Sequence, residues 1–237
     1  MTTLCIDTTT SVCSAAVCRD GALVKQCICR EGSNHARLLP LYIQELLALV
    51  RAEGMKIDAV VLSEGPGSYT GLRIGTSTAK GLCYGLDVPL IAVPTLAVLC
   101  EAAREHSAFK PSDQLCPMID ARRMEVYTAL YSAEAKEPKA RAVVVENEES
   151  LTEGRKEEEE RTKELRDVYY FGDGAAKCQT VLTRPNWHFI PDIVPEAQYL
   201  GRLANERLAM SEEQIAYYEP YYLKEFIAAQ SHVKGLK

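Results

Sequence analysis

Apolar residues run in short blocks at the start of the chain and then change period. Leu4-Cys5-Ile6, residues 12–18 and Ala22–Cys29 read as three strands, the last two joined at Asp20-Gly21, a dipeptide suited to a two-residue hairpin. From about Asn34, Leu38, Leu39, Tyr42, Ile43, Leu46, Leu47 and Val50 recur at three- and four-residue steps. That is the stripe of an amphipathic helix, closing near Gly54. Pro40 must fit its first turn or kink it. Residues 59–62 form a buried strand, followed by the glycine-rich stretch 65–71 and a helix to about Gly85. A strand at 90–93 and a helix from Thr95 to about His106 complete a β-β-β-α-β-α-β-α unit. A second series begins with a strand at 115–120 and continues with strands at 125–131, 142–145 and Val168–Phe171. A helix after Gly172-Asp173-Gly174-Ala175 and another over 196–210 follow, and the aromatic tail 217–230 has no clear period.

Both halves open on a strand that ends in aspartate, Asp7 and Asp120. Duplicated β-β-β-α-β-α units of this kind predict an α/β, two-lobed actin-like (ASKHA, ribonuclease H-like) fold, with two Asp-bearing hairpins facing a nucleotide cleft. The expected lobes are residues 1–105 and 106–237. The charged stretch 146–167, with the acidic run 157–160, reads as a solvated insertion.

Composition narrows the function. The chain is 47% hydrophobic and 25% charged, an ordinary globular balance. No apolar run approaches the roughly 18 residues of a membrane span, and the first seven residues lack a basic region, so a cytoplasmic location is expected. The net charge is −6 with no Lys/Arg run longer than two, which argues against autonomous nucleic-acid binding. Nine cysteines without a C-x-x-C read as small buried hydrophobes. Cys27 and Cys29 are expected on opposite faces of their strand.

Candidate chemistry is sparse. A phosphate-gripping turn needs small residues and a carboxylate. Asp7-Thr8-Thr9-Thr10 offers hydroxyls without glycine, and Asp120-Ala121-Arg122-Arg123 puts arginines where small residues are wanted. Asp7, Thr8, Thr9, Asp120, Gly172 and Gly174 are the candidate nucleotide-cleft residues; plain turns closed by Asp and Thr remain the other reading. The run Gly65-Pro66-Gly67-Ser68-Tyr69-Thr70-Gly71 could bind an anion at a helix N-terminus or be a tight turn capped by Ser68 or Thr70. Gly71, Gly75 and Ala79 are spaced by four, as are Ser77, Gly81 and Gly85. Glycine costs a helix about 0.8–1.0 kcal/mol relative to alanine, so close approach of a neighbouring helix, internal or from another subunit, is expected. His35, His106, His188 and His232 form no metal-binding pair, and no nucleophile elbow is present. No catalytic or metal-ligating residue is predicted.

Asp7-Thr8-Thr9, Asn34-His35-Ala36-Arg37-Leu38-Leu39-Pro40, the run from Gly65 to Gly75, Ala79-Lys80-Gly81, Pro94-Thr95-Leu96 and residues 120–127 occur in the order that resembles the TsaB (YeaZ) family. Tyr69 stands where that family often has Phe, and Met124 where it often has Gly. The resemblance implies a non-catalytic, dimerising subunit in bacterial synthesis of N6-threonylcarbamoyladenosine on the tRNA adenosine next to the anticodon. It implies pairing with the catalytic subunit TsaD, the ATPase TsaE in the same assembly, tRNA reached only through the complex, and a homodimer when alone. Pairing through the two helices of the N-terminal half would use Leu39, Tyr42, Ile43, Leu46, Leu47, Gly71, Ile74, Gly75, Thr78, Ala79 and Leu82. Whether the 38–50 stripe faces core or partner stays open at this level. No cofactor is required, with weak ATP or ADP binding as the outer bound. The alternative is an autonomous ATP-dependent phosphotransferase of the actin-like class. A metallopeptidase reading lacks ligands.

Overall fold

The computed structural model describes residues 1–32, 34–132, 138–152, 166–205 and 207–224. Strands β1 (Thr2–Asp7), β2 (Cys13–Arg19) and β3 (Ala22–Cys29) form an antiparallel meander, and β4 (Ala59–Gly65) and β5 (Leu90–Pro94) add parallel to β1. The sheet order is β3-β2-β1-β4-β5. The second sheet has β6 (Gln114–Asp120), β7 (Glu125–Thr128), β9 (Arg141–Val144), β10 (Val168–Phe171) and β11 (Trp187–Phe189) in the order β11-β10-β6-β7-β9, with β8 (Tyr131–Ser132) on β6. Read from the opposite edge, this is the first sheet again. β6 pairs antiparallel with β7 and parallel with β10, as β1 does with β2 and β4. The duplicated, two-sheet actin-like architecture is therefore written in the strand order.

Helices α1 (His35–Ala52) and α2 (Tyr69–Leu86) cover one face of the first sheet. Leu39, Ile43, Leu46 and Val50 of α1 reach Leu4, Ile6, Ala15 and Val17 beneath. The edge of the apolar stripe formed by these four residues thus belongs to the core. Pro40 lies in the second turn of α1. On the opposite face sit α3 (Thr95–His106) and α5 (Ala197–Ala204), between which a core continues from Val61 and Val93 into Leu115, Ile119 and Phe171 of the second sheet. The chain thus returns to the first sheet after completing the second. Buried Glu196, just before α5, accepts from Gln26 (2.8 Å) and pairs with Arg30 (2.5 Å), fixing the helix to β3.

Several element boundaries differ from the sequence pattern. The helix expected after Gly172 is a single 3-10 turn, Ala176–Cys178, and the one expected over 196–210 ends at Ala204. Met210 instead bridges to Leu90 on the free edge of β5, before α6 (Glu212–Tyr217). In the charged stretch, α4 (Glu148–Thr152) packs Leu151 inward; the acidic run 157–160 and residues 225–230 of the tail lie outside the described residues. Cys27 and Cys29 share a face, because Cys27 pairs with Ala15 and Cys29 with Cys13 on an unbulged part of the strand. Eight of the nine cysteines are buried, Cys29 being partly exposed.

Candidate functional site

The first hairpin and the N-terminus of α2 are built against each other. Asp7 is fully buried; its Oδ1 accepts from the Thr9 amide (2.9 Å) and hydroxyl (2.8 Å), closing the turn after β1. Its Oδ2 is buried without a hydrogen-bond partner. Burial pushes this carboxyl up from its ordinary value, opposed by Thr9, Ser63 and the nearby His35. His35 Nε2 donates to the Thr10 carbonyl (2.9 Å), so that histidine is a buried clamp on the hairpin rather than a surface group.

The opposite side of the turn is held by α2. The Ser68 amide donates to Thr9 O (2.6 Å), and the Thr8 hydroxyl donates to Gly71 O (2.7 Å). A Cβ on Gly71 would stand 1.9 Å from Thr8 O, and one on Gly75 would stand 2.5 Å from Thr8 Oγ1. Gly71 admits the backbone and Gly75 the side chain of Thr8 in the turn after β1, not a neighbouring helix, which corrects the sequence expectation for these two positions. Ser68 caps α2 by accepting from the Gly71 amide (3.4 Å).

The second hairpin is also engaged by the chain itself. Asp120 pairs with Lys177, whose Nζ also donates to Glu125 O (2.8 Å). Asp120 accepts from the Arg122 amide (2.9 Å), and Asp173 accepts from the Asp120 amide (3.0 Å). Burial, with the Asp120 charge adding, pushes the Asp173 carboxyl up. Gly172 and Gly174 lie against the backbone of Met118 and Ile119, where side chains would collide. The segment after α6 runs from the β4–α2 junction to the second hairpin. Tyr221 N donates to Glu64 O (2.8 Å), the Tyr222 ring meets Tyr69 at 5.0 Å, and Lys224 pairs with Glu125. Sequence reasoning gave no role to Lys177, Lys224 or this crossing segment; the aromatic tail was the available signal. Among the described residues, no group of three His, Cys, Asp or Glu could hold a metal, and no helix is long and apolar enough to cross a membrane.

The outer face of α1 and α2 is different in kind. Of the eleven residues expected there, Leu39, Ile43, Leu46, Gly71, Gly75 and Ala79 are buried within this chain, and that expectation is corrected for them. Tyr42, Leu47, Ile74, Thr78 and Leu82 are half-buried along the rim. A groove of about 390 Å³ opens between the helices, lined by Pro40, Ile43, Gln44, Leu47, Arg51 and Thr78. Leu41 is 55% exposed and Tyr84 87%. Added Cβ atoms on Gly81 and Gly85 would meet nothing within 4 Å. Gly81 and Gly85, which the four-residue spacing singled out, share this surface with Leu41 and Tyr84, which the stripe-based reading left out.

Comparison with known proteins gives this geometry a lineage. The family model described as TsaD, tRNA N6-adenosine threonylcarbamoyltransferase, matches residues 31–231. The tRNA threonylcarbamoyladenosine biosynthesis protein TsaB of Bacillus subtilis (strain 168) is 36% identical over 132 residues, 55% of each chain, and that of Escherichia coli (strain K12) matches to the same extent. The chain thus spans about half the length of the curated relatives it matches. The solved structure of YeaZ from Pseudomonas aeruginosa superposes with a TM-score of 0.68 at 27% identity, over 94% of this chain and 99% of that one. A protein with similarity to peptidase YeaZ, also from Pseudomonas aeruginosa, shares the fold with a TM-score of 0.73 at 24% identity, over 94% and 99% of the two chains. The chain belongs to the family that the TsaD model describes, and its relatives group it with the TsaB (YeaZ) proteins.

Proposed function

We propose that this chain is a non-catalytic subunit in the threonylcarbamoylation of the tRNA adenosine beside the anticodon, docking a TsaD-type transferase through the outer face of α1 and α2, with a TsaE-type ATPase in the assembly. The observation that carries the reading is the empty space over Gly81 and Gly85 beside exposed Tyr84. Two glycines in the last two turns of α2, where an added Cβ would meet nothing within 4 Å, each forgo up to about 1 kcal/mol of helix stability. A partner backbone approaching that face accounts for them, and the apolar rim of Leu47, Ile74 and Leu82 supplies area to bury. The cleft supports the same reading. Lys177 already supplies the cation at Asp120, and the Ser68 amide at the α2 N-terminus is spent on Thr9 O.

The test is reconstitution of modified nucleoside from a TsaD-type subunit, a TsaE-type ATPase, tRNA, ATP, threonine, bicarbonate and the adenylate-forming enzyme. Product is expected only when this chain is added, and a Gly81→Arg variant of unchanged thermal stability is expected to lose both product and binding to the transferase. ATP hydrolysis or phosphotransfer by the isolated chain would instead favour the autonomous-enzyme reading.

A further inference from the structure

We infer that Arg122 and Arg123, at the tip of the β6–β7 hairpin, form a contact for the phosphate backbone of an RNA. The turn is closed by Ala121 N to Glu125 O (3.1 Å) and Glu125 N to Arg122 O (3.1 Å). The first two of the three loop residues 122–124 both lie in the left-handed region, Arg122 at φ 71° and Arg123 at φ 53°. Asn and Gly adopt that conformation readily, whereas a long side chain disfavours it. The three other non-glycine residues with positive φ among those described are all aspartates. Two consecutive arginines are thus held at backbone angles that Asn or Gly would adopt more readily.

The hairpin is also rigid beneath them. Asp120 takes the Arg122 amide, Asp173 takes the Asp120 amide, and Val145 N donates to Met124 O (2.8 Å). The two acids at its base are neutralised from elsewhere, Asp120 by Lys177 and Glu125 by Lys224. Neither tip guanidinium has a carboxylate partner among the described residues, and both residues are exposed. In a chain of net charge −6, this leaves two adjacent, uncompensated cations on a braced projection.

Guanidinium forks match phosphate oxygens. A small nucleotide is ordinarily enclosed in a concave pocket, while an exposed turn suits an extended polyanion. The choice of RNA among phosphate-bearing ligands rests on the tRNA-modification reading above; the tip geometry does not.

The experiment is a salt titration of the full chain with an unmodified tRNA transcript, read by fluorescence anisotropy, for wild type, Arg122→Asn, Arg123→Gly and the double variant. Each substitution is expected to weaken binding about tenfold and to lower the log–log salt slope by about 0.7–0.9. Thermal stability should be equal or higher, since Asn and Gly relieve the turn, so lost binding cannot be lost folding. Unchanged affinity and slope in the double variant, or no binding by wild type at low salt, overturns the inference. So does equal competition by ATP, which would make the tip a nucleotide contact. Transferase binding by the same variants separates the two readings. tRNA bound through the arginines by a chain that docks no transferase refutes the proposed function alone. Transferase docking with arginine-independent tRNA binding refutes the tip alone.

Discussion

The two ends of α2 use the same residue for opposite purposes. Gly71 and Gly75, one turn apart, face inward onto the Thr8 turn, where an added Cβ would collide. Gly81 and Gly85, at the same spacing, face out with nothing near them. Identical spacing in sequence therefore carries two different physical causes, a backbone packed within the subunit and a surface left bare. The first is a condition of folding, while the second costs this subunit stability without helping it fold.

The largest effect should come from the inner pair. Gly71→Ala drives a methyl into the Thr8 carbonyl, a backbone atom that cannot swing away, and should cost roughly 3 kcal/mol. For a chain of this length that is about 6–12 °C in Tm, measurable by thermal denaturation. Gly75→Ala meets side-chain atoms alone, the Thr8 hydroxyl, which can rotate by giving up its bond to Gly71 O, and Leu62 Cδ1 at 3.3 Å. A net cost of about 1 kcal/mol is expected after the helix-propensity gain. Equal losses for the two variants would show that the turn is softer than its hydrogen bonds imply.

How much of this was legible beforehand follows the same division. The strands, α1 and α2 were readable because their periods are local and strong. The duplicated topology was readable from Asp7 and Asp120 closing equivalent strands. What escaped depends on contacts distant in sequence: which edge of the 38–50 stripe meets β1 and β2, Lys177 reaching Asp120 across 57 positions, and Tyr221 bonding to Glu64. Periodicity identifies an apolar face but not what covers it. Six of the eleven expected interface residues are therefore buried within this chain. The 3-10 turn at Ala176–Cys178 escaped for a related reason: Gly172 and Gly174 are selected by the β6 backbone beside them, not by a following helix.

The Asp7 carboxyl offers a pH test of the inner region. Its folded-state pKa is raised by burial, so its protonated form favours the fold. That contribution is present below the unfolded value of about 3.9 and is lost as pH rises through the folded value. Asp7→Asn cannot ionise. The stability of the variant relative to wild type should therefore increase with pH above about 4, and a pH-independent difference in Tm would contradict the assignment.

The smallest effect on the subunit belongs to the outer pair. Gly81→Ala and Gly85→Ala should each stabilise the isolated chain, by up to about 1 kcal/mol, since no neighbour is displaced. Any loss of stability would mean that the face is not bare in solution.

The central claim is that this bare face is a docking surface, and affinity of Gly81→Arg for a TsaD-type transferase tests it most directly. Calorimetric titration should show binding reduced at least a hundredfold while Tm stays at or above wild type, because the arginine enters open space in one context and an interface in the other. Wild-type affinity in that variant, with the fold intact, would contradict the account.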